Sequence, residues 1–242
     1  MLALRLELEE QLRQAVMRAQ AEKLWPCTAQ PDSYALIDAP EYVGGDISWP
    51  GLRTLPGGKD LWDRAAAVLP AVLELPSGSP VRPTGFAAGF VNFAWTVPGR
   101  EYILRRAAER DSSEVQGTSL PREVAYAVKR TIWLEKMAGD QLADNCVSPP
   151  GEIWAKALTR QEETALISGI ERLAQISAKA ARRRRPQPAL SLAIFLSQAW
   201  GVYYEHRALL KGTAAQIRAR AALGRALRAV LLSVPGSAKA NA

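Results

Sequence analysis

Cysteine and histidine are nearly absent from this chain, and the shortage narrows its chemistry. Its 242 residues hold two cysteines, Cys27 and Cys146, and one histidine, His206. Two distant cysteines make no disulfide framework, so a reducing, cytoplasmic setting is expected. The same three residues cannot assemble a metal site of ordinary ligand spacing. The sequence also lacks a Gly-rich phosphate loop, a G-x-S-x-G element and a Cys/His pair able to act as nucleophile and base. No catalytic residue, cofactor or metal is therefore expected. A signal-peptide core is missing as well, because the opening MLALRLELEE becomes charged too early. The uncharged run 186–204 follows four arginines, as membrane helices with positive flanks do. It nevertheless contains Pro186, Pro188, Ser191, Ser197 and Gln198. Its apolar part falls short of the ~20 residues needed to span a bilayer.

Hydrophobic residues make up 48% of the chain, which is ordinary and implies a packed core rather than disorder. Charge is distributed unevenly. Residues 1–115 carry 12 Lys+Arg and 15 Asp+Glu, whereas residues 116–242 carry 19 and 9. A surplus of ten cations in one half suits a polyanionic partner, most simply nucleic acid; excess surface charge that serves solubility is the plainer alternative. The polar stretch 111–119 reads as a linker, dividing the chain into domains at 1–112 and 118–238.

In the first domain, Leu4, Leu8, Leu12, Ala15 and Ala19 line one face of a helix over 2–24, which Trp25-Pro26 should stop. Residues 26–58 are rich in Pro, Gly and Asp and predict turns and short strands. A second helix fits 59–69, with Leu61, Ala65 and Val68 inward and Pro70 ending or kinking it. GFVNFAWTV at 89–97 is the best strand in the chain. A short basic helix follows within 100–116. In the second domain a helix over 122–137 is expected to begin at Pro121, with Ser119 as a nearby cap, and to bury Val124, Ala125, Val128, Ile132 and Trp133. A helix over 160–184 repeats Leu166, Ile170, Leu173, Ile176 and Ala180. The last two helices come from 190–207, with Leu192, Leu196, Ala199 and Tyr203 on one face, and from 217–234, with Leu223, Leu227, Val230 and Val234 in one stripe. Arg220 falls on the apolar side of that final helix. A lone buried charge is too costly, so it must snorkel or meet a partner inside the bundle.

These last two segments carry a resemblance. YYEHRALL at 203–210 followed by RAALGRALRAVL at 220–231 resembles the DALR anticodon-binding domain of arginyl-tRNA synthetases, in which a "FYEH"-like segment precedes an R-x-A-L-x-K/R-A-x-R-x-V-L helix. The helix at 122–137 is similar to the family's "VQYAxARIxSIL" helix. In the first domain, the helix, Gly44-Gly45-Asp46 and AGFVNF at 88–93 follow the order of the family's N-terminal additional domain. Gly45 stands where that family has histidine, and Ala87 offers no side-chain hydrogen bond. The resemblance implies an α+β N-terminal domain with a small antiparallel sheet, then an all-α helical bundle. It omits the catalytic domain with its HIGH-like and KMSK-like signatures, so a non-catalytic tRNA-binding protein is expected, with an arginine-type tRNA as partner and a role in presenting or regulating it. The alternative is an adaptor that binds a synthetase or tRNA-modifying enzyme through its bundle without touching RNA.

The resemblance implies that Phe90 stacks on a base of the tRNA elbow and that Asn92 hydrogen-bonds it, although strand aromatics are commonly core. In the bundle, the arginine run Arg182, Arg183, Arg184 and Arg185 either caps a helix or clamps phosphates. Trp200, Tyr203 and Tyr204 cannot all face one core, so at least one should be partly exposed. Beside His206, Arg207 and Lys211 such a ring would form a surface for unpaired bases, the plainer reading being that all three rings pack between helices. Lys129, Arg130, Arg218, Arg225 and Arg228 complete the candidate RNA-binding set.

Overall fold

The computed structural model describes residues 2–39, 45–109, 120–142, 153–183, 185–206 and 209–234. The chain divides into two compact units, Leu2–Gly99 and Arg100–Ala242.

In the first unit the leucine and alanine stripe of α1 (Leu2–Ala21) is buried at all five expected positions, Leu4, Leu8, Leu12, Ala15 and Ala19. The helix ends ahead of Trp25-Pro26. Lys23 adopts a left-handed φ of 58°, and the Leu24 N–H returns to the Ala19 carbonyl at 2.8 Å, which closes the last turn without proline. Four antiparallel strands are found among the described residues: β1 (Ile37–Asp38), β2 (Ile47–Trp49), β3 (Val81–Ala87) and β4 (Phe90–Trp95), in the order β1-β2-β4-β3. Between β2 and β3 lies α2 (Gly58–Val72), which continues two residues past Pro70. Proline there removes the N–H that would pair with the Ala66 carbonyl, and the helix ends within a turn of it. Strand β4 lies between β2 and β3 and is buried along nearly its whole length. Its partner Asp46 is clasped to it twice: the Asp46 N–H donates to the Phe93 carbonyl at 2.8 Å, and the carboxylate accepts from the Trp95 N–H at 2.7 Å.

The second unit is helical: α3 (Val97–Ala108, from Arg100 onward), α4 (Arg122–Gln141), α5 (Trp154–Ala157), α6 (Gln161–Arg183), α7 (Gln187–His206) and α8 (Ala214–Leu232). The polar stretch 111–119, Ser119 included, lies outside the described residues, and the division into compact units falls at Gly99/Arg100. Side chains of α3 explain why. Arg100 donates to the Leu158 carbonyl and Thr164 hydroxyl at 3.3 and 3.2 Å, Glu101 accepts from the Ala155 N–H at 2.9 Å, and the Arg105 guanidinium lies 4.6 Å from the Trp154 ring centre.

Leu166, Ile170, Leu173 and Ala180 of α6, and Leu223, Leu227, Val230 and Val234 in and just after α8, are buried as their spacing predicts. The α4 phase is different. Its buried residues are Val124, Ala127, Thr131, Leu134 and Ala138, while Ile132 and Trp133 are exposed. Thr131 supplies the reason: its hydroxyl satisfies itself on the Val128 carbonyl at 2.7 Å, so this helix turns a β-branched polar residue inward and a tryptophan outward. Arg220 is buried and meets Glu163 of α6 (Nε to Oε1, 3.3 Å). The same carboxylate oxygen accepts from the Tyr203 hydroxyl at 2.7 Å, and its other oxygen from the Arg160 N–H at 3.0 Å. Arg220 also donates to the Leu209 and Lys211 carbonyls at 3.2 and 2.7 Å, tying the α7–α8 connection to the core. The α8 start is fixed by reciprocal Thr213–Gln216 capping. No helix among the described residues is long and apolar enough to cross a membrane.

Candidate nucleic-acid interface

Because the inward face of α4 runs through Val124, Ala127, Thr131 and Leu134, its outward face collects Tyr126, Lys129, Arg130 and Trp133 at spacings of three and four. Tyr126 is 57% exposed and Trp133 47%. Tyr204 arrives beside them from α7. The Arg130 guanidinium lies 4.2 Å from the Tyr126 ring centre and 5.0 Å from that of Tyr204. Trp133 meets Tyr204 edge-on, with centroids 5.8 Å apart. Two rings thus flank one cation, and a third, Trp133, abuts the second of them.

Arg130 is a strut more than a free charge. It donates to the Gly201 carbonyl at 3.2 Å and pairs with Glu205. A Cβ at position 201 would sit 3.1 Å from the guanidinium, so the glycine leaves Arg130 its path. Burial would weaken the Arg130 charge, but its bonds to Glu205 and Tyr126 outweigh that and hold its pKa above the ordinary value. Burial raises the Tyr204 hydroxyl pKa, which keeps that ring neutral. Next to this array, Arg122, Glu123, Ala125, Tyr126 and Lys129 line an open cleft of about 550 Å³. Exposed aromatic faces with neighbouring cations can stack on unpaired bases while holding the adjoining phosphates.

The other expected residues divide by burial. Phe90 is 3% exposed and Asn92 1%; Arg53 covers the Phe90 ring at 5.2 Å, and the Ser48 hydroxyl donates to the Asn92 amide oxygen at 2.6 Å. Both pack in the core, where neither presents a face or edge to solvent for the stacking and hydrogen bonding that the resemblance implied. The departure from the family's histidine at position 45 has a local reason: Gly45 has φ of 95°, and a Cβ there would lie 2.8 Å from the Phe93 carbonyl oxygen. Trp200 is likewise fully buried, its ring lying against Gly224 of α8. Of the three rings at 200–204, Tyr204 is the partly exposed one.

Carboxylates take up several cations. Arg225 and Arg228 of α8 both grip Glu135 of α4 at 2.8 Å, so they act as an interhelix clamp rather than as open phosphate ligands. Arg218 is half-buried in a small cleft with Trp154 and Glu135. Lys129 and Lys211 are exposed, and so is Arg185, whose N–H closes on the Ala180 carbonyl at 3.1 Å as helix capping expects. The side chains of Arg182 and Arg183, and all of Arg184 and Arg207, lie outside the described residues. Tyr126 and Trp133 were missed by sequence reasoning. A phase chosen to bury Thr131 would have revealed both, but a threonine is a poor advertisement for a core position.

The fold defines an α+β unit followed by a helical bundle that carries an outer array of aromatic rings and cations. Residues 124–234, from the first buried valine of α4 to the last beyond α8, match the family model of the DALR anticodon binding domain. The matched segment covers just under half of the chain and is similar to that family of tRNA anticodon-binding domains. No curated protein and no solved structure matches the chain.

Proposed function

We propose that this chain is a non-catalytic, cytoplasmic tRNA-binding protein that takes an arginine-type tRNA and presents it or regulates its handling. The observation that carries the reading is the Tyr126–Arg130–Tyr204–Trp133 array, which lies on the segment that matches an anticodon-binding domain. Anticodon bases would stack on Tyr126 and Trp133, with Lys129 and Arg122 on the flanking phosphates. Arginine type is supported by the likeness of residues 203–210 and 220–231 to the arginyl-tRNA synthetase pattern. Absence of catalysis is supported by the single histidine and the missing ATP-handling signatures.

One observation favours a second reading. Arg130, Arg225 and Arg228 are paired with carboxylates, which leaves fewer cations for phosphate and suits an adaptor that binds a synthetase or tRNA-modifying enzyme instead. Titrating labelled tRNAs of several identities across a salt series separates the two. An RNA binder loses affinity as salt rises, with a log–log slope set by the phosphates it neutralises, and the arginine-type tRNA binds tightest. Equal affinity for every tRNA removes the type; no binding at low salt removes the RNA reading.

A further inference from the structure

On the outward side of α4, cations and rings take turns. Arg122, Tyr126, Lys129, Trp133 and Lys136 follow one another at spacings of four, three, four and three. At 3.6 residues per turn all five fall within about 80° of arc, and all five are exposed. The line extends about 21 Å along the helix and stops short of Asp140, an exposed carboxylate on the same side. Among the described residues no carboxylate pairs with Arg122, Lys129 or Lys136, whereas Arg130, Arg225 and Arg228 are each engaged by one. The open cleft of about 550 Å³ lies against the first ring, Tyr126, and the two cations that flank it.

Resting on the tRNA reading, we infer that this line is a track for an unpaired RNA strand, gripped without regard to base identity, with Lys136 as its third phosphate contact. Charge decides the class of occupant, since three cations in a row with no carboxylate between them suit a polyanion. Ring spacing decides its form. Tyr126 and Trp133 lie seven residues, about 10.5 Å, apart along the helix axis, whereas stacked neighbouring bases advance only ~3.4 Å. A strand that engages both rings is therefore unstacked and extended. A duplex, whose base faces are covered by their neighbours, offers phosphates alone. The rings present faces, and every base has one, so stacking here is indifferent to sequence. The side chains between the rings are cations, which phosphates satisfy without reading a base edge. Any preference for one tRNA is accordingly set away from α4.

The test titrates the full chain against labelled oligo(U), oligo(A), the duplex they form, and tRNA, across a salt series. Oligo(U) and oligo(A) are expected to bind within about tenfold of each other and at least about tenfold tighter than the duplex. Lys136→Gln is expected to flatten the log–log salt slope for oligo(U) by about 0.7, the share of one phosphate on a single strand. Trp133→Ala is expected to weaken oligo(U) binding at least about fivefold and to leave the slope as it was, both variants keeping the parent's circular dichroism spectrum. A duplex bound as tightly as the single strands, a wider gap between the homopolymers, or an unaltered slope in Lys136→Gln overturns the track. If tRNA binds and the single strands do not, the track falls while the tRNA reading stands. If the single strands bind and tRNA does not, the track stands while the tRNA reading falls. If no RNA binds at low salt, as an adaptor for proteins would behave, both are overturned.

Discussion

Trp49, Phe90, Phe93 and Trp95 lie inside the N-terminal unit, whereas Tyr126, Trp133 and Phe195 stand on the surface of the helical one. Among the described aromatic residues of the first unit Phe86 is the exposed one, on the edge strand β3. The difference teaches where a recognition surface can form. A strand with neighbours on both edges and burial on both faces has no side left for a ligand. A bundle helix buries one stripe and must display the rest. The charges sort the same way, since the acidic half holds the packed sheet and the basic half holds the displayed rings.

The largest expected effect tests the interior of the helical unit. Arg220→Met leaves Glu163 buried without its cation and should cost about 3–5 kcal/mol, read as a shift in the urea midpoint. Adding Glu163→Gln should recover much of that loss; an undiminished loss in the double variant would show that the ion pair is not what Arg220 contributes.

The contrast between the units is tested by two ring deletions read in parallel. Phe90→Ala should lower stability by about 3–5 kcal/mol and leave the tRNA affinity of the folded protein unchanged. Tyr126→Ala should do the opposite, lowering tRNA affinity by about 1–3 kcal/mol with stability within about 0.5 kcal/mol of the parent. If Phe90→Ala instead weakens binding while the protein remains folded, the core role assigned to that ring fails.

The smallest effect is a pH dependence. Burial, followed by the hydrogen bond and charge of Glu163, pushes the Tyr203 hydroxyl well above its ordinary pKa. A tyrosine whose folded value exceeds its unfolded one holds its proton more tightly in the fold. Its contribution is therefore complete below the unfolded value of ~10 and is lost as pH rises beyond it. Thermal unfolding should fall off above that pH in the parent and less steeply in Tyr203→Phe; parallel curves would mean that Tyr203 does not titrate with unfolding.

Much of the bundle was legible because its residues repeat at helical spacing. The α8 stripe could be placed to the residue and the α6 stripe at all but Ile176, which is only half-buried, and the need for a partner to Arg220 followed from the cost of a bare buried charge. The α4 array was not legible, since the phase of a helix whose core includes threonine and alanine is ambiguous by pattern alone. Phe90 and Asn92 were placed on the right strand, yet whether that strand had a free face depended on what packed over it.

By itself, then, the sequence determined the order of helices and strands, the charged asymmetry between the halves and the apolar stripes of the bundle, because these follow from local spacing and composition. Only the tertiary structure decided which cations Glu135, Glu163 and Glu205 would claim and which rings would remain at the surface. Pairing and exposure depend on neighbours brought together from distant parts of the chain, and no local pattern encodes those distances.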